Sequence, residues 1–199
     1  MADNRAAVER NGGMRSEILF AAAKIIVEQG YESCTMRTIA KMVHITAGSL
    51  YHHFASKEEI IEEIMNIGTV ALLHRVENVL SELPDSTPFP ERLAAAVDAH
   101  ISALLRPDAI YMRVFEFLPP VIRKRSAAMR RTYANLWLRL FEGGVAQGFI
   151  RRDVNLAWLV PYAISAFNRV PDWYRPKSRD EPGIASFVAD TVLRGIARR

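Results

Sequence analysis

The sequence predicts an all-α protein, and three observations support that fold class. Apolar side chains recur at helical spacing in nearly every segment of the 199-residue chain. Proline, glycine and capping residues separate these segments, and no stretch alternates apolar with polar residues as a half-buried strand does. Half of the residues are hydrophobic, which is ample for a buried core, so we expect about nine packed helices.

The N-terminal part of the chain is predicted to hold four helices behind a flexible arm. Residues 1–14 carry few large apolar side chains and are predicted to be mobile, with the first helix beginning near Arg15 and ending at Gly30. Three residues that can cap a helix precede the next three apolar segments: Thr35, Thr46 and Ser56. The helix that follows Ser56 is expected to reach about Leu80.

The rest of the chain is predicted to form five further helices. Residues 82–90 contain three prolines and are predicted to be a loop. Helical spacing resumes over residues 93–104 and in a short segment at 110–117. Longer helices are expected over 121–147, from Asp153 or Asn155 to Tyr174 with a kink at Pro161, and over 182–197.

Composition and missing motifs exclude several classes of protein. The single cysteine, Cys34, cannot form an internal disulfide and fits a reducing compartment. No apolar run approaches the roughly 20 residues of a membrane span, and the N-terminus lacks the apolar core of a secretory signal. The sequence shows no phosphate-binding glycine loop, nucleophile elbow or metal-spaced His/Cys cluster. We therefore expect a cytoplasmic protein that is not an enzyme, contacts no membrane and needs no cofactor.

Residues 35–54 have the layout of a helix-turn-helix, with two short capped helices around a tight turn at His44 and Ile45. The outward residues of the second helix are small or can form hydrogen bonds, which suits a helix that enters the major groove of DNA. No acidic residue occurs between Glu32 and Glu58, so the local charge also favours DNA. On pattern alone, such a motif can also be a simple packing corner.

The block from Ile18 to Ile64 resembles the DNA-binding domain of TetR-family regulators. The resemblance rests on ILFAAAKIIVEQGY, on TMRTIAKMVHITAGSLYHHFASKEEII and above all on the run GSLYHHF followed by SKE. It implies a homodimer whose paired helices bind a palindromic operator in double-stranded DNA. Carried over by position, the expected DNA-contacting residues are Thr35, Arg37, Thr46, Ala47, Gly48, Ser49, Tyr51, His52 and Lys57. His53 is interpreted as structural.

The same resemblance implies a DNA-binding domain at residues 15–55 and a ligand-binding and dimerisation domain at 56–199. Five aromatic residues of the second domain are candidates to line an apolar ligand pocket: Tyr111, Phe115, Trp137, Phe141 and Tyr162. Aromatic stripes of this kind are also typical of ordinary core, and both interpretations stay open. The apolar stripes over 156–167 and 184–196 could build an intersubunit four-helix bundle or pack inside their own subunit.

One segment indicates a class of ligand. The run Trp173-Tyr174-Arg175-Pro176 resembles a tetrapeptide of TetR-family repressors of fatty-acid and steroid catabolism, which respond to acyl-CoA thioesters. An arginine beside aromatic rings could bind a CoA phosphate or stack on adenine, and this makes Asn168, Arg169, Trp173 and Arg175 candidate ligand residues. A structural role for the tetrapeptide at the end of the dimer bundle is an equal alternative.

The sequence therefore predicts a transcriptional repressor that a small-molecule inducer, with an acyl-CoA suspected, releases from its operator. The alternative within the family is a drug-responsive repressor of an efflux pump, in which a carboxylate such as Glu116 would bind a cationic drug. Outside the family, an enzyme would need clustered titratable residues, and a helical interaction module would not bind DNA. The basic run at 123–125, together with Arg130 and Arg131, could attract an anionic ligand but is interpreted as a solvated helix face.

Overall fold

The computed structural model describes residues 2–106, 109–174 and 183–198, and they form helices joined by short connections. Within these ranges the β-structure amounts to an isolated antiparallel bridge between Ile150 and Ala197. The predicted all-α class is therefore confirmed. None of the helices in the described ranges is both long enough and apolar enough to span a bilayer.

The helices range from four residues to 28. The longer ones are α1 (Ala2–Gln29), α4 (Lys57–Glu82), α5 (Phe89–Leu104), α8 (Ala127–Ala146), α9 (Leu156–Asn168) and α11 (Ile184–Ile196). The shorter ones are α2 (Met36–Met42), α3 (Ala47–His53), α6 (Ile110–Arg113), α7 (Pro120–Arg123) and α10 (Val170–Trp173). Short 3-10 helices lie at Tyr31–Ser33, Val114–Phe117 and Lys124–Ser126.

The chain divides into two compact units, and α4 contributes to both. Unit 1 comprises Met1–Gly68 and Ile110–Ala127, and unit 2 comprises Thr69–Ala109 and Ala128–Arg199. This division by contacts differs from the predicted one, because residues 56–68 and 110–127 both join the N-terminal helices. Apolar residues at helical spacing show that a helix has a buried face, but they do not show which neighbouring element covers that face.

The core of unit 1 joins α1 to the two short helices that follow it. Ile18, Ile25 and Ile26 of α1 are fully buried together with Ile39 of α2 and Leu50 of α3. Burial of a side chain of this size contributes about 1.5–3 kcal/mol, so this shared core fixes the short helices on α1. The helix α1 ends where predicted, since Gly30 takes a positive φ of 86°.

Arg15 ties three helices of unit 1 together. Its Nη1 donates a hydrogen bond of 2.7 Å to the carbonyl oxygen of His53, and its guanidinium also forms an ion pair with Glu63 of α4. The same group lies 3.9 Å from the ring centroid of Phe54. These contacts fix the end of α3 against α1 and the start of α4.

Residues 110–127 pack on the same core. Val114, Leu118 and Ile122 are buried in it. The backbone of α6 approaches α4 closely at Gly68, where an added Cβ would lie 2.5 Å from the carbonyl oxygen of Tyr111. A glycine is therefore needed at position 68, because the group it would meet is backbone and cannot move away independently.

The core of unit 2 is a cluster of aromatic rings. Phe89 of α5, Trp137 and Phe141 of α8, and Phe167 of α9 are each at most 1% exposed, and adjacent ring centroids lie 5.2–6.3 Å apart. Such pairs add about 0.5–1.5 kcal/mol to the free energy gained by burial. They hold the amino-terminal half of α5 against α8 and α9.

Several predicted helix boundaries differ from the structure. The helix α1 begins at Ala2 rather than near Arg15, and alanines and charged residues with good helix propensity support the earlier start. The helix predicted over 121–147 is divided, since residues 124–126 form a 3-10 turn. The helix predicted over 155–174 runs through Pro161 but ends at Asn168, because Pro171 cannot donate to a continuing helix. Pro182, the predicted start of the last helix, lies outside the described residues.

Candidate nucleic-acid interface and effector unit

Helix α2 begins with a reciprocal capping arrangement. The Oγ1 atom of Thr35 accepts a hydrogen bond of 3.1 Å from the backbone N–H of Thr38, and Thr35 N–H donates one of 2.8 Å to Thr38 Oγ1. A cap of this kind contributes about 1 kcal/mol, which fixes where the short helix starts. Thr35 and Arg37 are both exposed at this end of α2.

The turn between α2 and α3 has a left-handed residue at His44, with φ of 57°. The N–H of Ile45 donates to the carbonyl of Ala40 over 3.0 Å, and the N–H of His44 donates to Lys41 over 3.3 Å. These two bonds form a Schellman motif, which closes the last turn of α2 and reverses the chain. The turn predicted at His44 and Ile45 is confirmed.

Helix α3 presents its polar side to solvent. Thr46 caps it, with its Oγ1 accepting a hydrogen bond of 3.1 Å from Ser49 N–H, while Leu50 and the following Phe54 are buried. The side chain of Tyr51 is 56% exposed. Among the other residues predicted to contact DNA here, Thr46, Ala47, Gly48 and His52 are exposed and Ser49 is half-buried. The face predicted to enter the major groove is therefore accessible.

Lys57 lies at the start of α4, beyond α3. Ser56 caps this helix, and its Oγ accepts a hydrogen bond of 3.2 Å from Glu59 N–H. The ammonium of Lys57 lies 3.8 Å from the ring centroid of Tyr31, a contact that orients the side chain while leaving it half-exposed. The structure thus brings Lys57 to the first turn of a helix, where backbone N–H groups also favour an anion.

Cys34 and His53 lie near this interface but were not predicted to contact DNA. The thiol of Cys34 is fully buried and directed at the carbonyl of Ala22, and burial raises its pKa to about 11. A thiol that stays protonated is a poor nucleophile, which argues against a redox switch. The backbone carbonyl of His53 accepts a hydrogen bond from Arg15, a contact that does not involve the imidazole, so the structural role of this side chain stays a prediction.

The predicted ligand residues of unit 1 lie on its own core. Tyr111 and Phe115 are partly buried against the apolar cluster of the N-terminal helices. Arg123 lies over the ring of Phe115 at 4.8 Å and donates to the carbonyl oxygens of Leu118 and Glu116. In the predicted basic run, Arg123 thus fixes a turn, while Lys124 and Arg125 are exposed.

Within the described part of unit 2, the predicted ligand residues do not line one pocket. Trp137 and Phe141 are fully buried in the aromatic core, whereas Tyr162 is 69% exposed on α9. Arg169 and Trp173 lie together around α10, where Arg169 pairs with Asp172 at 3.0 Å and Trp173 is 56% exposed. Arg175 and Pro176 lie outside the described residues. The sequence pattern could not separate these cases, because core and pocket aromatics share the same spacing.

A buried polar network accounts for Asn168. Its Oδ1 accepts a hydrogen bond of 3.0 Å from Nε2 of His100, whose Nδ1 in turn accepts from the hydroxyl of Tyr133. His100 is fully buried, and this burial lowers its pKa to about 4 against the opposing effect of Asn168. This network was not predicted from the sequence. A signal was present, since His100 interrupts the apolar stripe of α5 and a polar group there needs partners.

Two outward helix faces of unit 2 carry large apolar side chains. Trp158 and Tyr162 lie one turn apart on α9 and are 75% and 69% exposed, and Phe187 of α11 is 65% exposed. Isolated exposed apolar residues are ordinary, but three large aromatic residues on two helices mark a candidate contact surface.

Two family models match the chain. The model described as bacterial regulatory proteins of the tetR family matches residues 18–64, which include α2 and α3. The model described as the tetracyclin repressor-like C-terminal domain matches residues 86–196, more than half of the chain.

Named proteins are similar to the chain over most of its length. The HTH-type transcriptional repressor KstR2 of Rhodococcus jostii (strain RHA1) is 31% identical over 193 residues, which cover 93% of this chain and 92% of the relative. The solved structure of the ketosteroid transcriptional regulator KstR2 of Mycobacterium tuberculosis has a TM-score of 0.68 at 27% identity and covers 94% of this chain and 96% of that one. The structure of AibR in complex with isovaleryl coenzyme A and operator DNA shares the fold, with a TM-score of 0.72 at 23% identity over 92% of this chain and 97% of that one.

Proposed function

The chain belongs to the TetR family of bacterial regulatory proteins, and from this premise we propose that it is a repressor released from its operator by a small molecule. The accessible polar face of α3 carries the proposal. Thr46, Gly48, Tyr51 and His52 are available to base edges and phosphates, while Leu50 anchors the helix from below. The relatives named KstR2 are described as a repressor and a ketosteroid regulator, which supports the repressor function. The protein would act in the cytoplasm, where it meets chromosomal DNA.

Gly48 provides the first test of this surface. A Cβ at this position would meet only the Oγ1 of Thr46, at 3.8 Å, so the fold itself does not require glycine. We expect Gly48→Ala to raise the free energy of unfolding by up to about 1 kcal/mol, because glycine is a poor helix former. We also expect it to weaken DNA binding by about tenfold, since a methyl group would hold α3 away from the groove in both copies.

The measurements are urea unfolding and fluorescence anisotropy with labelled operator DNA. Gly143→Ala is the matched control, because it lies within helix α8 and a Cβ there would meet no atom within 4 Å. The control should gain stability and keep its DNA affinity. A Gly48→Ala protein that binds DNA as tightly as the wild type would contradict a close approach at this residue.

We propose that two copies pair through the outward faces of α9 and α11. Exposed Trp158, Tyr162 and Phe187 support this arrangement, which would form a four-helix bundle from two copies. A two-fold axis would place two copies of α3 in successive major grooves, about 34–36 Å apart. An inducer then has to favour a misaligned pair by only about 1–3 kcal/mol to release the DNA.

Glutamates at the exposed aromatic positions test the pairing. We expect the variant Trp158→Glu with Tyr162→Glu to be monomeric at micromolar concentration, because carboxylates would be desolvated in the bundle. Its DNA affinity should fall by about 100-fold or more, because a monomer binds only one half-site at a time. Sedimentation velocity and DNA anisotropy measure the two effects. Val121→Glu, at a side chain that is 70% exposed in unit 1, is the control and should stay dimeric. A dimeric double variant would place the interface elsewhere.

For the inducer we propose a CoA thioester of lipid or steroid catabolism. The exposed Arg169 and Trp173 around α10 support a phosphate- and ring-binding role, although Arg169 would have to exchange Asp172 for a phosphate. A cationic drug is the competing inducer. Thermal unfolding with acyl-CoAs, free acids and cationic dyes separates the two, and stabilisation by dyes without any response to CoA thioesters would contradict the proposal.

Selection from a random duplex library tests the repressor proposal as a whole. The protein should enrich an inverted repeat, and the inducer identified by thermal unfolding should lower affinity for that repeat. Failure to enrich any duplex would reject DNA recognition by this chain.

A further inference from the structure

Unit 2 contains a cavity of about 390 Å³ that none of the predicted ligand residues lines. The end of α4, the start of α5 and one face of α8 line it, and it opens to solvent. Its apolar walls are Leu80, Phe89, Leu136 and Leu140, each less than a tenth exposed to solvent. The volume lies at the lower end of the range of roughly 300–1,000 Å³ that is typical of small-molecule sites.

Two arginines border this cavity. Arg92 is held in place by hydrogen bonds of 3.2 Å and 3.3 Å to the carbonyl oxygens of Pro84 and Leu80. Arg139 of α8 is exposed and forms no hydrogen bond or ion pair with any residue of the described ranges. A guanidinium at an apolar cavity can bind a planar carboxylate through two parallel hydrogen bonds.

No acidic residue lines the cavity to compete for these cations. Glu82, Glu91 and Glu142 are the acids adjacent in sequence to lining residues, and all three are exposed to water. The site thus combines an apolar interior with positive charge at its edge, which favours an amphipathic anion over a neutral or cationic molecule.

We propose that this cavity binds a small carboxylic acid with a hydrocarbon body, such as a medium-chain fatty acid, with its carboxylate on Arg139. The hydrocarbon lies among Leu80, Leu136 and Leu140. A site of this size accepts such an acid but not the nucleotide part of a CoA thioester. It is therefore a second ligand site, and it does not depend on whether the chain binds DNA.

A substitution at Gly143 can test the cavity without disrupting the fold. This glycine lines the cavity from within α8, and an added Cβ would meet no atom within 4 Å. A leucine at position 143 would extend into the empty volume and would also favour the helix, because glycine is a poor helix former. The variant Gly143→Leu should therefore fold and block the cavity.

Isothermal titration calorimetry with octanoate tests the proposal on the intact protein. Octanoate should bind saturably to the wild type, while octanol should bind at least tenfold more weakly and inorganic phosphate should not bind measurably. Arg139→Gln should weaken octanoate binding about tenfold, and Gly143→Leu should abolish it. Arg131→Gln, another exposed arginine of α8, is the control and should bind octanoate as the wild type does.

The absence of saturable octanoate binding to the folded wild type would overturn the proposal. So would binding that survives both Arg139→Gln and Gly143→Leu, since the acid would then occupy another place. DNA anisotropy on the same unliganded variants should match the wild type. A wild type that binds DNA but shows no saturable octanoate binding would thus count against this cavity alone and leave the repressor proposal standing.

Discussion

Replacing Tyr51 and Lys57 by alanine in the same chain is expected to weaken operator binding by about 100-fold or more. Tyr51 projects from α3 and Lys57 lies on the first turn of α4, so the pair spans the two sides of the proposed contact. A dimer presents each residue twice, and the double variant therefore removes four contacts. At about 1.5–3 kcal/mol for a hydrogen bond to a charged group, even partial contributions reach this factor.

The salt dependence of binding should change as well. Loss of Lys57 from both copies should reduce the slope of log affinity against log salt by about 2, because each lysine releases about one counterion. Fluorescence anisotropy at several salt concentrations measures both quantities. Arg131→Ala, an exposed cation of α8 in unit 2, should leave the affinity and the slope unchanged.

Stability is the necessary control, because Lys57 also lies over the ring of Tyr31. Loss of that contact costs about 0.5–1 kcal/mol at an exposed site, so the variant should still fold. Circular dichroism and urea unfolding check this. A folded double variant whose operator affinity stays within twofold of the wild type shows that α3 is not the DNA-binding element.

Acidification is expected to remove about 3 kcal/mol from the free energy of unfolding through His100 alone. Burial lowers the pKa of this residue from 6.5 to about 4 in the folded chain, and each unit of pKa corresponds to about 1.4 kcal/mol. Between these two values the unfolded chain binds a proton that the folded chain does not. The contribution of His100 to the free energy of unfolding is therefore fully present above pH 6.5 and decreases as the pH falls towards 4.

Urea unfolding of the wild type and of His100→Gln across pH 4–7 isolates the contribution. Glutamine does not titrate and retains a donor and an acceptor for Asn168 and Tyr133. The difference in stability between the two proteins should shrink by about 3 kcal/mol as the pH falls from 7 to 4. If the variant does not fold, the pKa of His100 can be measured in the wild type from its NMR ring resonances. A pKa near 6.5 would contradict a buried neutral ring.

The helix-turn-helix could be predicted from the sequence because its determinants are local. Thr35 and Thr46 cap helices that start directly after them, and Ile39 and Leu50 lie on the inward faces that the spacing predicts. The exposure of the α3 face follows from the same pattern, because burial of Leu50 directs the polar residues outward. The family resemblance added which of these residues contact DNA, and those roles stay predictions.

The structure of residues 69–198 and the packing of residues 110–127 could be predicted less well, because both depend on contacts between distant segments of the chain. Trp137, Phe141 and Tyr162 all lie in segments with helical spacing of apolar residues. Nevertheless, Trp137 and Phe141 are buried, whereas Tyr162 is exposed. Val114 and Leu118 pack in unit 1, which the pattern of residues 110–117 could not show. Gly143, which has no side chain, lines the cavity near Arg139, and an empty volume leaves no periodic signal in a sequence.

Hydroxyl-radical footprinting on the selected inverted repeat tests most directly whether two copies of α3 bind DNA. The wild type should protect two regions on one face of the duplex, with centres about 10 base pairs apart. The variant that lacks Tyr51 and Lys57 should lose both protections at the same protein concentration. A single protected region, protections spaced by half a turn, or a footprint that the double variant keeps would contradict the account.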